Sequence, residues 1–161
     1  MAGPISDEPP PEFIRLTSAV TKSYSYRKLL WAGLKPDTRQ SYGPAVRSYE
    51  QFCALTNLTP WPATRNSLGH WITGRSFGSS LPLQGQVQPT TVQSYVSALR
   101  SVHVDLGYDV AVFESSHLQR LIQGAKNLFP LIKKQGRLPI TRTILLAILS
   151  PQASAEENLI N

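Results

Sequence analysis

Three histidines, one cysteine and ten acidic residues are the groups in this 161-residue chain that could ligate a metal or move a proton. His70, His103 and His117 have no Cys, Asp or Glu at ligand spacing. His103 recurs with Val96 and Leu99 on an apolar helical face and reads as a packed core histidine, whereas His117 opens a helical stretch and reads as exposed. Cys53 alone forms neither an internal disulfide nor a cysteine-based zinc site. It shares an apolar stripe with Tyr49 and Phe52, the place of a small hydrophobe. The acidic residues are too scattered for paired-carboxylate chemistry, and no glycine-rich phosphate loop occurs. No active site, metal or cofactor is expected.

The basic residues are placed differently. All 16 Lys and Arg fall between Arg15 and Arg142, where only Asp37, Glu50, Asp105, Asp109 and Glu114 oppose them, so sixteen cations against five anions leave that span at +11. Such a charge points to an anionic partner, nucleic acid first. Two helix starts, Pro36-Asp37-Thr38-Arg39 and Gln88-Pro89-Thr90-Thr91, offer hydroxyls and free backbone N–H groups. These either cap the helices or hold phosphate oxygens. Arg39 and Arg47 fall off the apolar stripe of their helix, and Gln93, Ser97 and Arg100 share the polar side of another. A row of that kind contacts base edges or phosphates, or is simply a solvated face.

Helices must position these residues, because no strand pattern competes. Residues 1–12, with Pro9-Pro10-Pro11, read as a disordered acidic tail, and 13–34 as an N-terminal extension with a short helix near Ser23–Trp31. From Asp37 to about Thr56 the apolar positions Tyr42, Ala45, Val46, Tyr49, Phe52 and Cys53 predict a helix, kinked or started late at Gly43-Pro44. A second helix runs from Thr64, its N-cap, to Phe77, with Leu68, Trp71, Ile72 and Arg75 along one side. The loop Gly78–Gln88 is long enough to be functional or mobile. The clearest helix starts at Pro89 and stops at Gly107, with Val92, Tyr95, Val96, Leu99, Val102, His103 and Leu106 as its stripe. Another spans Ser115 or Ser116 to about Phe129; a basic linker, Lys133–Arg137, leads to a short helix at Ile144–Leu149 capped by Thr141, and the tail starts at Pro151. The expected fold is all-α, a small antiparallel bundle of four to five helices.

Three stretches carry a family resemblance. Lys35-Pro-Asp-Thr-Arg-Gln-Ser-Tyr42 followed by Phe52-Cys53 resembles the opening helix of the core-binding domain of tyrosine recombinases, the phage-integrase type. Pro89-Thr-Thr-Val-Gln-Ser-Tyr95-Val-Ser-Ala98-Leu-Arg100-Ser-Val-His103 is similar to the family's Thr-Ile-x-x-Tyr-x-Ser-Ala-Leu-Arg helix. Leu121-Ile-Gln-Gly124-Ala-Lys126 and Arg137-Leu-Pro139-Ile140-Thr141 resemble the exit helix and linker, in the form seen in eukaryotic mobile elements. The resemblance covers residues 35–149. It implies a SAM-like helical domain at 35–130 forming half of a clamp on double-stranded DNA. The implied phosphate anchors are Thr38, Thr90, Thr91 and Lys126, and the implied phosphate or base contacts are Arg39 and Arg100. Arg47, Gln93 and Ser97 complete the candidate DNA-binding set. The loop Gly78–Gln88 is longer than in compact family members.

The family's catalytic Arg, His and Tyr lie in a C-terminal domain, of which residues 131–150 resemble only the linker and first helix. The expectation is therefore a nuclear DNA-binding module in a recombination or integration context, not an enzyme by itself, partnered by DNA and by a separate catalytic domain or homologous chain. The competing reading is a helical protein–protein adaptor presenting Trp31, Trp61 or Tyr108, with no role in nucleic-acid binding. Residues 1–8 are neither basic nor apolar, so no secretory signal is expected, and Ala2 precludes myristoylation. No run of about 18 apolar residues is present to span a membrane. A reducing intracellular compartment fits the single cysteine.

Overall fold

The computed structural model describes residues 8–130. They form six α-helices: α1 (Pro11–Thr17), α2 (Tyr24–Ala32), α3 (Pro36–Leu55), α4 (Arg65–Phe77), α5 (Pro89–Leu106) and α6 (Ser116–Leu128), with a 3-10 turn at Ala111–Glu114 before α6. No strand occurs among the described residues, and the fold is all-α. The basic linker, the Ile144–Leu149 helix and the tail from Pro151 lie outside the described residues, as do residues 1–7.

The central element is α5. Val92 and Leu99 on its inner face are fully enclosed, against Tyr49 and Cys53 of α3, Leu68 and Trp71 of α4, and Leu118 of α6. Gly107, at φ 75°, ends α5 in the left-handed conformation that glycine adopts without steric cost. Ala63, just before α4, donates its N–H to His103 Nε2 near the end of α5, and Arg75 near the end of α4 lies over Tyr95 near the start of α5. The two helices are therefore antiparallel. Phe77 meets Phe129, and Gly69 meets Leu121, so α6 runs with α4 and against α5.

Three differences from the sequence expectation have local causes. The acidic, proline-rich start is not wholly a tail: Pro11 occupies the first turn of α1, where its missing N–H costs nothing, and Phe13 is buried with its ring edge 5.0 Å from Trp31. This adds a helix to the expected four or five. Helix α3 does not start late at Pro44 but runs from Pro36 to Leu55, because Pro44 lies on the exposed side, where water reaches the carbonyl that loses its partner. The loop 78–88 is pinned rather than loose: Gln84 is buried and donates to the Ser48 carbonyl at 2.9 Å, and Gln86 donates to that of Ser76 at 3.0 Å.

Candidate nucleic-acid interface

Because Val92, Val96, Leu99 and His103 take the inner face of α5, helical geometry turns Gln93, Ser97 and Arg100 outward, and all three are exposed. Thr90 is exposed on the same side, and Thr91 is half-buried. From Thr90 to Arg100 the row is about 15 Å long at the rise of an α-helix. The side-chain amide of Gln93 has no intramolecular partner among the described residues. Ser97 donates to the Gln93 carbonyl at 3.2 Å and keeps its oxygen lone pairs outward. Arg100 pairs with Glu114 at 3.2 Å, with 45% and 63% of the two side chains exposed. Such a pair is worth at most about 1 kcal/mol and yields to a competing phosphate.

The start of α5 separates capping from anion binding. Ser23, Thr64 and Ser115 cap α2, α4 and α6 through their side-chain oxygens. Lys35 and Gln88, preceding α3 and α5, provide no side-chain cap. The amides of Thr90 and Thr91 therefore stay open at the positive end of the helix dipole. The first turn of α3 carries Asp37, which opposes an anion, whereas that of α5 carries no acid. Lys126 lies in the last turn of α6. Since α6 runs against α5, it stands at the same end as Thr90 and Gln93. Thr90, Gln93, Ser97 and Arg100 thus share one side of α5, Thr91 stands about half a turn from Gln93, and Lys126 shares the end of the bundle where the row starts.

The α3 residues do not join them. Arg39 is turned inward, and only 7% of its side chain is exposed. Its guanidinium grips the Asp105 carboxylate at 2.5 and 3.1 Å and donates to the carbonyls of Trp31 (3.1 Å) and Leu30 (2.5 Å). It also lies over the rings of Phe13 and Trp31 at 4.9 and 4.8 Å. With its donors so engaged, Arg39 is a structural clamp and not a DNA contact, which corrects the expectation that it leaves the apolar stripe: three residues before Tyr42 and seven before Val46, it falls on that side of α3. Thr38 is half-buried beside it, at the far end of α5 from Thr90. Arg47 is exposed, but its guanidinium folds back over Gly43, close enough that a Cβ there would lie 3.0 Å from Nη1.

His103 is a core residue: Nε2 accepts from the Ala63 N–H at 2.8 Å, so Nδ1 carries the proton and donates to the Asp109 carbonyl at 2.9 Å. Arg75, placed by periodicity on the apolar side of α4, is buried with no carboxylate beside it. It donates to Ser48 Oγ at 3.1 Å and to the Leu83 carbonyl, and its burial pushes the guanidinium pKa down. It anchors the 78–88 loop. Among the described residues no cluster of His, Cys, Asp and Glu could hold a metal ion, and no helix is long and apolar enough to cross a membrane. Compared with known proteins, the chain matches no family model, no curated protein and no solved structure.

Proposed function

We propose that this chain is the DNA-gripping module of a tyrosine recombinase or integrase-like protein, a SAM-like core-binding domain that holds duplex DNA and leaves strand cleavage to another domain or chain, in the nucleus. The carrying observation is the exposed row on α5: uncapped amides at Thr90 and Thr91, then Gln93, Ser97 and Arg100, with Lys126 of α6 at the same end of the bundle. Amides and hydroxyls at one end suit phosphate oxygens, and an Arg and a Gln on one helix face suit guanine and adenine edges. The strong excess of cations over anions supports the same reading.

The test is a salt-titrated binding assay on duplex DNA. Affinity falls with a log–log slope of about −0.9 per phosphate contacted. Lys126→Ala weakens binding equally on all sequences and reduces the slope by about one. Arg100→Ala, if the side chain reads a base, costs about 1–3 kcal/mol on the preferred site and little elsewhere. Wild type binding duplex no better at low salt than an Arg100/Lys126 double alanine variant refutes the proposal.

A further inference from the structure

Arg75 is 7% exposed, and no carboxylate among the described residues pairs with it. Nη1 donates to Ser48 Oγ and to the Leu83 carbonyl, whereas Nε, equally enclosed, has no acceptor. The ring of Tyr95, its centre 5.5 Å from the guanidinium carbon, offsets part of the charge. A buried cation matched so poorly is expensive, and an apolar side chain of similar size serves stability as well or better. The loop that takes its Nη1 is strained too: Leu83 lies at φ 64°, in the left-handed region that leucine avoids. In that conformation its carbonyl meets both Arg75 and Ser48. Leu81 and Leu83 themselves are 50% and 54% exposed, so polar bonds more than apolar packing hold this part of the loop down. Strain and an unmatched buried charge at one place mark a functional device.

We infer that the 78–88 loop is a strap over a latent phosphate ligand: a phosphate group arriving at the start of α5 draws Arg75 out from under Leu83, and the strap opens. The place is set by the chain itself. The Val87 N–H donates to the Arg75 carbonyl at 3.0 Å, so the polypeptide enters α5 directly beside Arg75. Tyr95, which the guanidinium faces, lies one helical turn, about 6 Å, beyond Thr91, whose amide is open to an anion. Phosphate supplies what Arg75 lacks, a negative charge and oxygens for the Nε edge of its fork. Opening exchanges the polar bonds of the strap for bonds to water at small net cost and relieves the conformation of Leu83. The inference rests on the duplex reading for the source of that phosphate.

The test is residue-resolved hydrogen exchange on the full chain, alone, with duplex DNA and with inorganic pyrophosphate. The reporters are the amides bonded within the strap: Ser79 to the Gln84 carbonyl, Gln84 to that of Leu81, and Val87 to that of Arg75. Duplex raises their exchange by about tenfold or more, equivalent to about 1.4 kcal/mol, while the Leu99 amide in the core does not change. Arg75→Met keeps the wild-type denaturation midpoint and the unliganded loop protection. Neither acceptor is orphaned in it, since the Leu83 carbonyl still accepts from Ser48 Oγ at 2.9 Å and Ser48 Oγ from Trp71 Nε1 at 3.1 Å. The same variant abolishes the ligand-induced exchange and reduces the salt slope of duplex binding by about one, and Arg75→Lys restores the slope. Duplex that binds while the loop amides stay protected overturns the inference and leaves the duplex reading standing. Opening by pyrophosphate in a chain that does not bind duplex keeps the strap, refutes that reading and makes the ligand a free phosphate. Opening by neither overturns the inference. So does an Arg75→Met variant that loses midpoint and loop protection together, since the guanidinium is then a structural anchor only.

Discussion

Replacing Arg39 by Met lowers stability by about 3–5 kcal/mol, the range for breaking a buried ion pair on one side, and is expected to leave the duplex binding proposed for the α5 row unchanged. Both partners are well enclosed, with 7% and 12% of the side chains exposed, so solvent screening does little to reduce that cost. The loss has two sources. Asp105 loses both of its guanidinium bonds, and the last carbonyls of α2 lose the donors that hold this helix to the bundle. The reverse variant, Asp105→Asn, costs less, because Arg39 retains the carbonyls of Leu30 and Trp31 and the faces of Phe13 and Trp31. The double variant Arg39→Met/Asp105→Leu recovers much of the loss, since no unpaired charge remains buried. Urea denaturation of the four proteins gives the cycle and its coupling energy. A loss under about 0.5 kcal/mol for Arg39→Met, on the scale of a surface change, refutes the clamp. A protein of wild-type stability that no longer binds duplex does so as well, and returns Arg39 to the DNA surface.

Leu99→Ala costs about 2–5 kcal/mol in chemical denaturation, as emptying a fully enclosed leucine site does. A loss below about 0.5 kcal/mol would move Leu99 off the core. Cys53 is buried, and burial raises its thiol pKa, so in native buffer a thiol-specific reagent labels it slowly. Its labelling rises with urea in step with unfolding, whereas rapid native-state labelling contradicts the packing around it. Gly78→Ala destabilises by about 1–3 kcal/mol: φ is 88°, and the new Cβ comes within 2.8 Å of Gln86 Cβ and 2.9 Å of the Gln86 backbone nitrogen. An unchanged midpoint for this variant would mean that the loop re-forms freely.

Whatever depends on a single helix was legible in the sequence. The stripe of α5, its glycine stop, the Thr64 cap of α4 and the inward place of His103 follow from spacing alone, because a helix imposes its period on whatever it packs against. What depended on distant partners was not legible. Arg39, three residues before Tyr42 and seven before Val46, falls on the stripe side of α3, so the period itself turns it inward; what no local pattern named is its partner, Asp105, 66 residues away. Of the helices beside Arg39, α2 was expected near Ser23–Trp31, but α1 begins inside the stretch whose composition pointed to a tail. Arg75 did leave a signal, an arginine on an apolar side, which requires buried acceptors, but nothing local named Ser48 or the Leu83 carbonyl as those acceptors.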